Sequence, residues 1–168
     1  VQADVVEFVR LRLANMLTSR DFATDVVDAV LTARFDEHGD AVARVKALAA
    51  LKTAADFEPL AVAFKRVGNI IKGGVDTPVQ AELFEADCER VLAAAVVATR
   101  QSVADQVGRG DYSAALQTIA KLREPVDAFF DGVMVMAEDD RVKSNRLALL
   151  TQVAGLFANI ADFTRIAA

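Results

Sequence analysis

The sequence predicts an all-α protein, an antiparallel bundle of about eight helices, and three observations lead to that fold class. Apolar residues recur at the three- and four-residue spacing of helices, whereas strict alternation of apolar and polar residues is scarce. Runs of β-branched residues fall inside this helical spacing. All 3 prolines stand where a helix is able to begin. We expect one helical domain over residues 1–168, with residues 1–56 as a candidate N-terminal helical subunit.

Composition narrows the class of protein further. Hydrophobic residues make up 54% of the chain and charged residues 26%, which suits a domain with a sizeable core. No uncharged apolar run approaches the roughly 20 residues of a membrane span, and the first 17 residues carry too many charges for a secretory signal. A single cysteine favours a reducing compartment, so we expect a cytoplasmic location. Because the chain does not begin with Met, we also expect it to be a fragment of a longer one.

The first three helices follow from apolar stripes and the breaks between them. A first helix is predicted from about Asp4 to Ser19, and Asp21 or Thr24 is expected to cap a second helix. A polar break at residues 36–40 then precedes a third helix from about Ala41 to Ala55. The stripes of the first two helices consist of Val5, Val6, Val9, Leu13 and Leu17, and of Val26, Val27, Val30 and Leu31.

The fourth helix is predicted from Glu58 to Lys72. Pro59 occupies its first turn, where proline is tolerated, and Gly73-Gly74 marks its end. Its two faces differ in chemistry, so one is expected to be buried. The apolar face consists of Leu60, Ala63, Phe64, Val67, Ile70 and Ile71, and the opposite face consists of Lys65, Arg66, Asn69 and Lys72.

The second half of the chain is predicted to hold four more helices. Pro78 is expected to open a long fifth helix from about Val79 to Val107, whose Ala and Val content suggests that it is covered on most sides. Glycines at positions 108 and 110 break the chain, Asp111 is expected to cap a short sixth helix, and Pro125 to start a seventh. The sixth helix carries Tyr112, Ala115, Leu116, Ile119 and Leu122.

The last helix begins near three acids, Glu138, Asp139 and Asp140, and is predicted to run through Ile160, nearly to the C-terminus. A carboxylate cluster suits a divalent cation or acid–base chemistry. However, acids in a first helical turn also accept hydrogen bonds from free N–H groups. With no His or Cys nearby, and no calcium-loop spacing, the pattern favours the helix-start role.

Other residues with chemical potential have simpler interpretations. His38 is expected to be a solvated loop residue, because it is the only histidine and has no partner for a metal. Cys88 is expected to be a small core residue, since a nucleophilic cysteine needs a basic partner and the only histidine is far away in sequence. Phe129 and Phe130 are expected in the core. For Tyr112 the sequence leaves two roles open, core residue or base-stacking platform.

The basic face of the fourth helix has two interpretations. The net charge of −5 opposes indiscriminate binding to nucleic acid, so any RNA contact needs a local patch. Lys65, Arg66, Asn69 and Lys72 share one helical face and are able to donate to phosphates and base edges. The pattern alone favours a solvated charged face, although Asn69 is a poor choice for such a position.

Three motifs carry a resemblance to a known family. The segments "PVDAFFDGVMVM" from Pro125 and "NRLALL" from Asn145 closely resemble the C-terminal region of bacterial glycyl-tRNA synthetase beta subunits. The segment "FKRVGNI" from Phe64 is similar to a second motif of these subunits, and "DVVDAVL" from Asp25 to a third. The chain departs from the family at Asp140-Arg141-Val142-Lys143, which keeps an acid, an aliphatic residue and a base but not the family's letters.

The resemblance implies a helical anticodon-binding domain of the DALR type. It implies that the parent is an aminoacyl-tRNA synthetase of two alpha and two beta subunits that joins glycine to its tRNA with ATP. The partners implied are the anticodon loop of glycine tRNA, the alpha subunit and the rest of the beta subunit, with neither membrane nor DNA. ATP and Mg²⁺ are expected to bind elsewhere, so this fragment is expected to have no cofactor and no catalytic residue.

The resemblance also turns the interpretation of the fourth helix toward RNA. A domain that holds an anticodon loop needs donors on one face, and the predicted RNA-binding residues are Lys65, Arg66, Asn69 and Lys72, with Lys143 and Arg146 as a second group. The alternative is a helical assembly or interaction domain with no RNA contact. The two hypotheses predict the same helices but different surfaces around the basic residues.

Overall fold

The structure, a computed structural model, describes residues 2–72 and 74–167, and those residues form eight α-helices and two short 3₁₀ helices, with no strand among them. The predicted all-α class with about eight helices is therefore confirmed. The α-helices are α1 (Gln2–Thr18), α2 (Thr24–Ala33), α3 (His38–Lys52), α4 (Phe57–Ile70), α5 (Asp87–Gly108), α6 (Tyr112–Ala120), α7 (Arg123–Gly132) and α8 (Asp140–Phe157). The 3₁₀ helices are η1 (Ala81–Leu83) and η2 (Phe163–Arg165).

Helices that follow one another in the chain pack side by side: α1 on α2, α2 on α3, and α5 on α6. The contact of α3 with α6 joins the two halves of the chain, and α4 packs against α7, α8 and η2. Three phenylalanine rings lie where α4, α8 and η2 meet. The ring centre of Phe64 is 4.9 Å from that of Phe157 and 5.4 Å from that of Phe163. Burying each such side chain contributes about 1.5–3 kcal/mol. A separate N-terminal subunit over residues 1–56 stays a prediction.

The fourth helix forms as predicted, within two residues at each end. Leu60, Ala63, Phe64 and Val67 are buried, so the predicted apolar face is the packed one. The helix is followed by a turn in which Gly74 has a φ of 57°, a left-handed conformation that favours glycine. The other residue of the predicted glycine stop, position 73, lies outside the described residues.

The start of the fifth helix was predicted wrongly. Pro78 does not open a helix: residues 79–86 are irregular apart from η1, and α5 begins at Asp87. Two sets of hydrogen bonds hold the segment before α5 in this irregular conformation. One joins it to α8, and the other joins it to the first turn of α5. The side-chain amide of Asn145 accepts from the Gln80 N–H at 2.7 Å and donates to its carbonyl at 3.0 Å. The Glu89 carboxylate accepts from the backbone N–H groups just before α5, at 2.8 Å each.

Two other helix ends also differ from the sequence predictions. Neither Asp21 nor Thr24 caps α2; the N-cap is Ala23, without a side-chain cap, and Asp21 lies in a turn with a φ of 64°. The last helix ends at Phe157 rather than beyond Ile160. Past that point the chain bends into η2, and the N–H of Asp162 donates to the carbonyl of Ala29 at 2.8 Å. The segment after Phe157 therefore contacts α2 instead of continuing α8.

The polar break predicted at residues 36–40 is shorter than expected, because α3 already begins at His38, which was predicted to lie in a loop. Asp40, in the first turn of α3, takes part in a buried polar network. Arg44 is fully buried and donates to the Val30, Arg34 and Ile160 carbonyls, the first two of which lie at the C-terminal end of α2. The Asp40 carboxylate accepts from Arg44, from Arg34 and from the hydroxyl of Tyr112. The role left open for Tyr112 is therefore a core role, with its ring 4% exposed.

Some predicted apolar faces are not covered by the described residues. On α1, Leu13 and Leu17 are buried, whereas Val5, Val6 and Val9 are 50–57% exposed. On α5, Val91 and Val97 are 54% and 69% exposed, so this helix is less covered than predicted. Among the residues described, no helix combines the length and the apolar character that a membrane span requires.

Candidate nucleic-acid interface

The exposed face of α4 carries three of the predicted RNA-binding residues. Lys65, Arg66 and Asn69 line one shallow recess of about 580 Å³ together with Val62 and Ile70. Their proximity follows from helix geometry, because positions three and four residues apart lie on the same face. Arg66 and Asn69 are exposed, and Lys65 is half-buried. The site therefore offers ammonium, guanidinium and amide donors within one turn of helix.

The two cations of this recess are not neutralised by acids. The Nζ of Lys65 lies 3.4 Å from the carbonyl of Ile166, and the Cζ of Arg66 lies 4.0 Å from the ring centre of Phe130. Within residues 2–72 and 74–167, neither side chain forms an ion pair with a carboxylate. Their positive charge is therefore available to a phosphate or another acceptor from outside the domain.

A second recess adjoins the first and shares two of its residues, Arg66 and Ile70. It has a volume of about 480 Å³ and lies between α4 and the loop of residues 133–139 that joins α7 to α8. In that loop Met134 and Met136 are 75% and 58% exposed, whereas Val135 between them is 5% exposed. The remaining lining residues are Phe130, Asp131, Gly132 and Val133.

Lys72 lies apart from the other predicted residues on α4. It follows the end of the helix and lines a different recess with Gly68, Thr32 and Asp162, where both α4 and α2 pack against η2. The predicted basic face is thus divided, with Lys65, Arg66 and Asn69 on one side. No ion pair involves Lys72 within the described part of the chain.

Arg146 is placed in the protein interior, which corrects its predicted place on an exposed basic surface. The side chain is 5% exposed, and its guanidinium donates to Glu89 at 2.9 Å, Glu85 at 2.8 Å and the Met134 carbonyl at 3.0 Å. Burial alone would lower the pKa of Arg146, but the bonds to Glu89 and Glu85 raise it. With three nitrogens bound to protein acceptors, Arg146 supports the loop rather than presenting donors to RNA.

Lys143 and the three acids lie at the start of α8. Asp139 is the N-cap, and its Oδ1 accepts from the N–H groups of Arg141 at 2.8 Å and Val142 at 3.3 Å, which confirms the predicted helix-start role. Asp140 pairs with Lys143 at 2.5 Å, so this lysine is partly neutralised. Among the described residues, no group of three or more His, Cys, Asp or Glu side chains is arranged to hold a metal ion.

Comparison with known proteins places this geometry in a family. Residues 60–168, which include α4 from Leu60 onward, the α7–α8 loop and Arg146, match the DALR anticodon binding domain. This chain belongs to the DALR anticodon-binding family. The match covers both recesses, so the candidate interface is part of the DALR domain itself.

Whole-chain relatives agree with the domain match. The chain is 56% identical over 168 residues to the glycine–tRNA ligase beta subunit of Syntrophotalea carbinolica and 53% identical over 168 residues to that of Geobacter metallireducens, with 100% of this chain covered in both. It is 52% identical over 166 residues to that of Geobacter sp. strain M21, with 99% covered. The chain spans 24% of the length of each of these relatives.

Sequence reasoning identified the helix that lines the first recess but missed the loop that lines the second. Met134 and Met136 were not predicted as surface residues, and the packing of Arg66 on Phe130 joins residues 64 positions apart, which no local pattern reveals. A signal was nevertheless present. The segment "GVMVM" alternates two apolar residue types at period two, which is typical of an extended segment with two different faces.

Proposed function

We propose that this domain binds the anticodon loop of glycine tRNA as part of the beta subunit of a glycine–tRNA ligase. The observation that carries the proposal is the un-neutralised donor set on α4: Lys65, Arg66 and Asn69 line one recess in a chain whose net charge is −5. In an acidic protein, a cationic patch that forms no ion pair with the acids of the described residues is the feature that a phosphate backbone needs.

Each of the three side chains supplies a different kind of contact to RNA. Lys65 is a point charge suited to a phosphate, and Arg66 carries a planar group suited to a phosphate or a base. Asn69 combines a donor and an acceptor, which permits hydrogen bonds to the edge of an unstacked base. Lys72, on the adjacent surface, extends the positive potential, whereas Lys143 contributes less because Asp140 pairs with it.

The wider setting of the proposal follows from the relatives named above. Proteins of that name are beta subunits of a ligase, so the domain would act with the remainder of a beta subunit and with an alpha subunit in the cytoplasm. The ligase would join glycine to tRNA with ATP and Mg²⁺, bound outside this chain. The domain's own residues would supply tRNA binding and no catalysis. A helical interaction domain without RNA contact is not favoured, because the family match includes the donor set.

The test uses the complete alpha–beta enzyme. The double variant Arg66→Ala/Asn69→Ala should lower the kcat/KM for glycylation of glycine tRNA by roughly tenfold or more, because each lost base or phosphate contact is worth about 1–3 kcal/mol. Glycine-dependent ATP–pyrophosphate exchange, which needs no anticodon contact, should keep its rate. Arg109→Ala is the matched control, since it removes an exposed arginine in the turn after α5.

Two results would contradict the proposal. If charging by the double variant equalled that of the wild type, the recess would not contact tRNA. If charging and pyrophosphate exchange fell together, the variant would be acting through subunit folding or assembly instead of through anticodon binding.

A further inference from the structure

We propose that the recess between α4 and the α7–α8 loop is a subsite for a single unpaired nucleobase, which stacks on the exposed side of the Arg66 guanidinium. This inference rests on the proposed function, and it adds a chemical class of ligand and a mode of binding to one part of the interface. The subsite is defined by Arg66, Ile70, Phe130, Met134 and Met136.

The ring of Phe130 supports the Arg66 guanidinium from one side. Its Cζ lies 4.0 Å from the ring centre of Phe130, which is itself 8% exposed and packed against Phe129 at 5.8 Å between ring centres. The ring therefore limits the conformations of the guanidinium and covers one side of it. Since Arg66 is nevertheless exposed, its other side remains open for a planar ligand.

Met134 and Met136 form an apolar wall of the recess. Met134 and Met136 are 75% and 58% exposed, and exposed large apolar side chains in a cluster are typical of a binding surface. Methionine is flexible and polarizable, which suits contact with the edge or face of an aromatic ring. The wall is held in place from below: Val135 is buried, and Arg146 donates to the Met134 carbonyl at 3.0 Å. The two methionines therefore stand on a loop with a fixed backbone.

The charge of this recess favours a base over a phosphate. Asp131 also lines this recess, and its carboxylate would repel an anion that entered. A neutral base meets no such penalty, and its amino or imino groups are able to donate to a carboxylate. Phosphate contacts are better supplied by the neighbouring recess, which is lined by Lys65 and Asn69 and contains no acid. The two recesses share Arg66, so one nucleotide is able to place its base in one and its phosphate at the other.

The test uses the complete enzyme and tRNA transcripts with one abasic site at each anticodon-loop position in turn. Two variants probe the subsite without disturbing the core. Arg66→Lys keeps the charge but removes the planar group, and Met134→Ala shortens a side chain that is 75% exposed. Arg109→Lys is the control for the arginine change. The readout is the kcat/KM for glycylation, measured over a range of salt concentrations.

The expected result is coupling at one loop position. There, the abasic substitution and Arg66→Lys should each lower kcat/KM roughly tenfold, and their combination should cost little more than either alone, because both remove the same stacking contact. Met134→Ala should couple to the same position more weakly. The salt dependence of Arg66→Lys should match the wild type, since no phosphate contact is lost.

The contradicting results are distinct for the subsite and for the proposed function. If abasic sites lower charging but none couples to Arg66→Lys or Met134→Ala, the subsite is wrong and the proposed function stands. The subsite is also wrong if Met134→Ala weakens alpha–beta assembly in sedimentation while tRNA charging per assembled enzyme is unchanged, because the recess then binds protein. If no abasic site changes charging at all, the subsite is wrong, whereas the proposed function fails only if the variant Arg66→Ala/Asn69→Ala also leaves charging unchanged.

Discussion

Arg146 and Glu89 form an ion pair inside the domain, with 2.9 Å between Nε and Oε1 and exposed fractions of 5% and 0%. The pair joins α8 to the first turn of α5. It also joins both to the α7–α8 loop, because the same arginine donates to the Met134 carbonyl. One side chain thus links three segments that are distant in sequence, and one of them carries the wall of the proposed subsite.

Replacing Arg146 by Met should lower the free energy of unfolding by about 3–5 kcal/mol, because the change leaves the buried Glu89 carboxylate without its cation. Urea denaturation of the 168-residue chain measures this loss. Arg141→Met, at an exposed position of the same helix, should change stability by less than about 0.5 kcal/mol. A loss below about 1 kcal/mol for Arg146→Met would show that the pair is not a major source of stability.

The hydrogen bond between Tyr112 and Asp40 should make the stability of the domain depend on pH. Burial alone would raise the pKa of Asp40, but hydrogen bonds from Tyr112 and Arg44 lower it below its usual value. Burial and the bond to Asp40 raise the pKa of Tyr112. The contribution of Asp40 is therefore present above about pH 4 and is lost as the pH falls through its folded-state pKa. The contribution of Tyr112 is present below about pH 10 and is lost as the pH rises through its folded-state pKa.

The variant Tyr112→Phe tests both effects together. At neutral pH it should cost about 1.5–3 kcal/mol, the usual range for a hydrogen bond to a charged group. It should also remove the part of the alkaline loss of stability that belongs to this tyrosine, and weaken the acid-side loss that belongs to Asp40. Unfolding free energies from pH 3 to 11 provide the measurement, and unchanged slopes at both ends would contradict the assignment.

Because only Asp139 caps α8, replacing each of the acids Glu138, Asp139 and Asp140 should have a different effect on stability. Asp139→Ala should lower stability by about 1 kcal/mol, because two backbone N–H groups lose their acceptor. Glu138→Ala and Asp140→Ala should each cost clearly less than Asp139→Ala, since both side chains are exposed and neither is the cap. Equal losses for all three would argue that the cluster acts as a unit, as a cation site would.

Gly68 on α4 has almost no room for a larger residue. A Cβ built there would lie 2.7 Å from the Cγ2 methyl of Thr164 on η2. Overpacking of this kind costs about 1–3 kcal/mol, which should exceed the gain of about 1 kcal/mol that alanine brings to a helix. Gly68→Ala should therefore be destabilising. Adding Thr164→Ser, which removes the methyl and keeps the hydroxyl that bonds to Asp162 at 2.6 Å, should restore stability to the wild-type level or above.

A thermal unfolding series of the two single variants and the double variant measures this coupling. Gly39→Ala is the matched control, because a Cβ at that helical position meets nothing within 4 Å. If the Gly68→Ala loss persisted in the presence of Thr164→Ser, the close contact between α4 and η2 would not be its cause.

Local sequence patterns predicted the helices well, but they predicted poorly those helix ends that tertiary contacts determine. The spacing of apolar residues in α4 identified the buried face, and Asp111 was correctly predicted as the cap of α6, where its side chain accepts from the N–H of Ala114 at 3.1 Å. The start of α5 was missed because the segment before it is held by Asn145, which lies 65 residues away from Gln80. Propensity and periodicity carry no information about such a partner.

The sequence by itself determined the helical class, the family resemblance and the donor set on α4, because each depends on residue types at short spacing. Only the tertiary structure decided which basic side chains remain exposed and able to contact a ligand. Arg146 lies among acids in the core, Lys72 is separated from the other α4 donors, and Arg66 packs on Phe130 beside an apolar loop. The physical reason is that charge neutralisation and burial depend on side chains brought together from distant helices. The face of a single helix, by contrast, depends only on the spacing of residues within that helix.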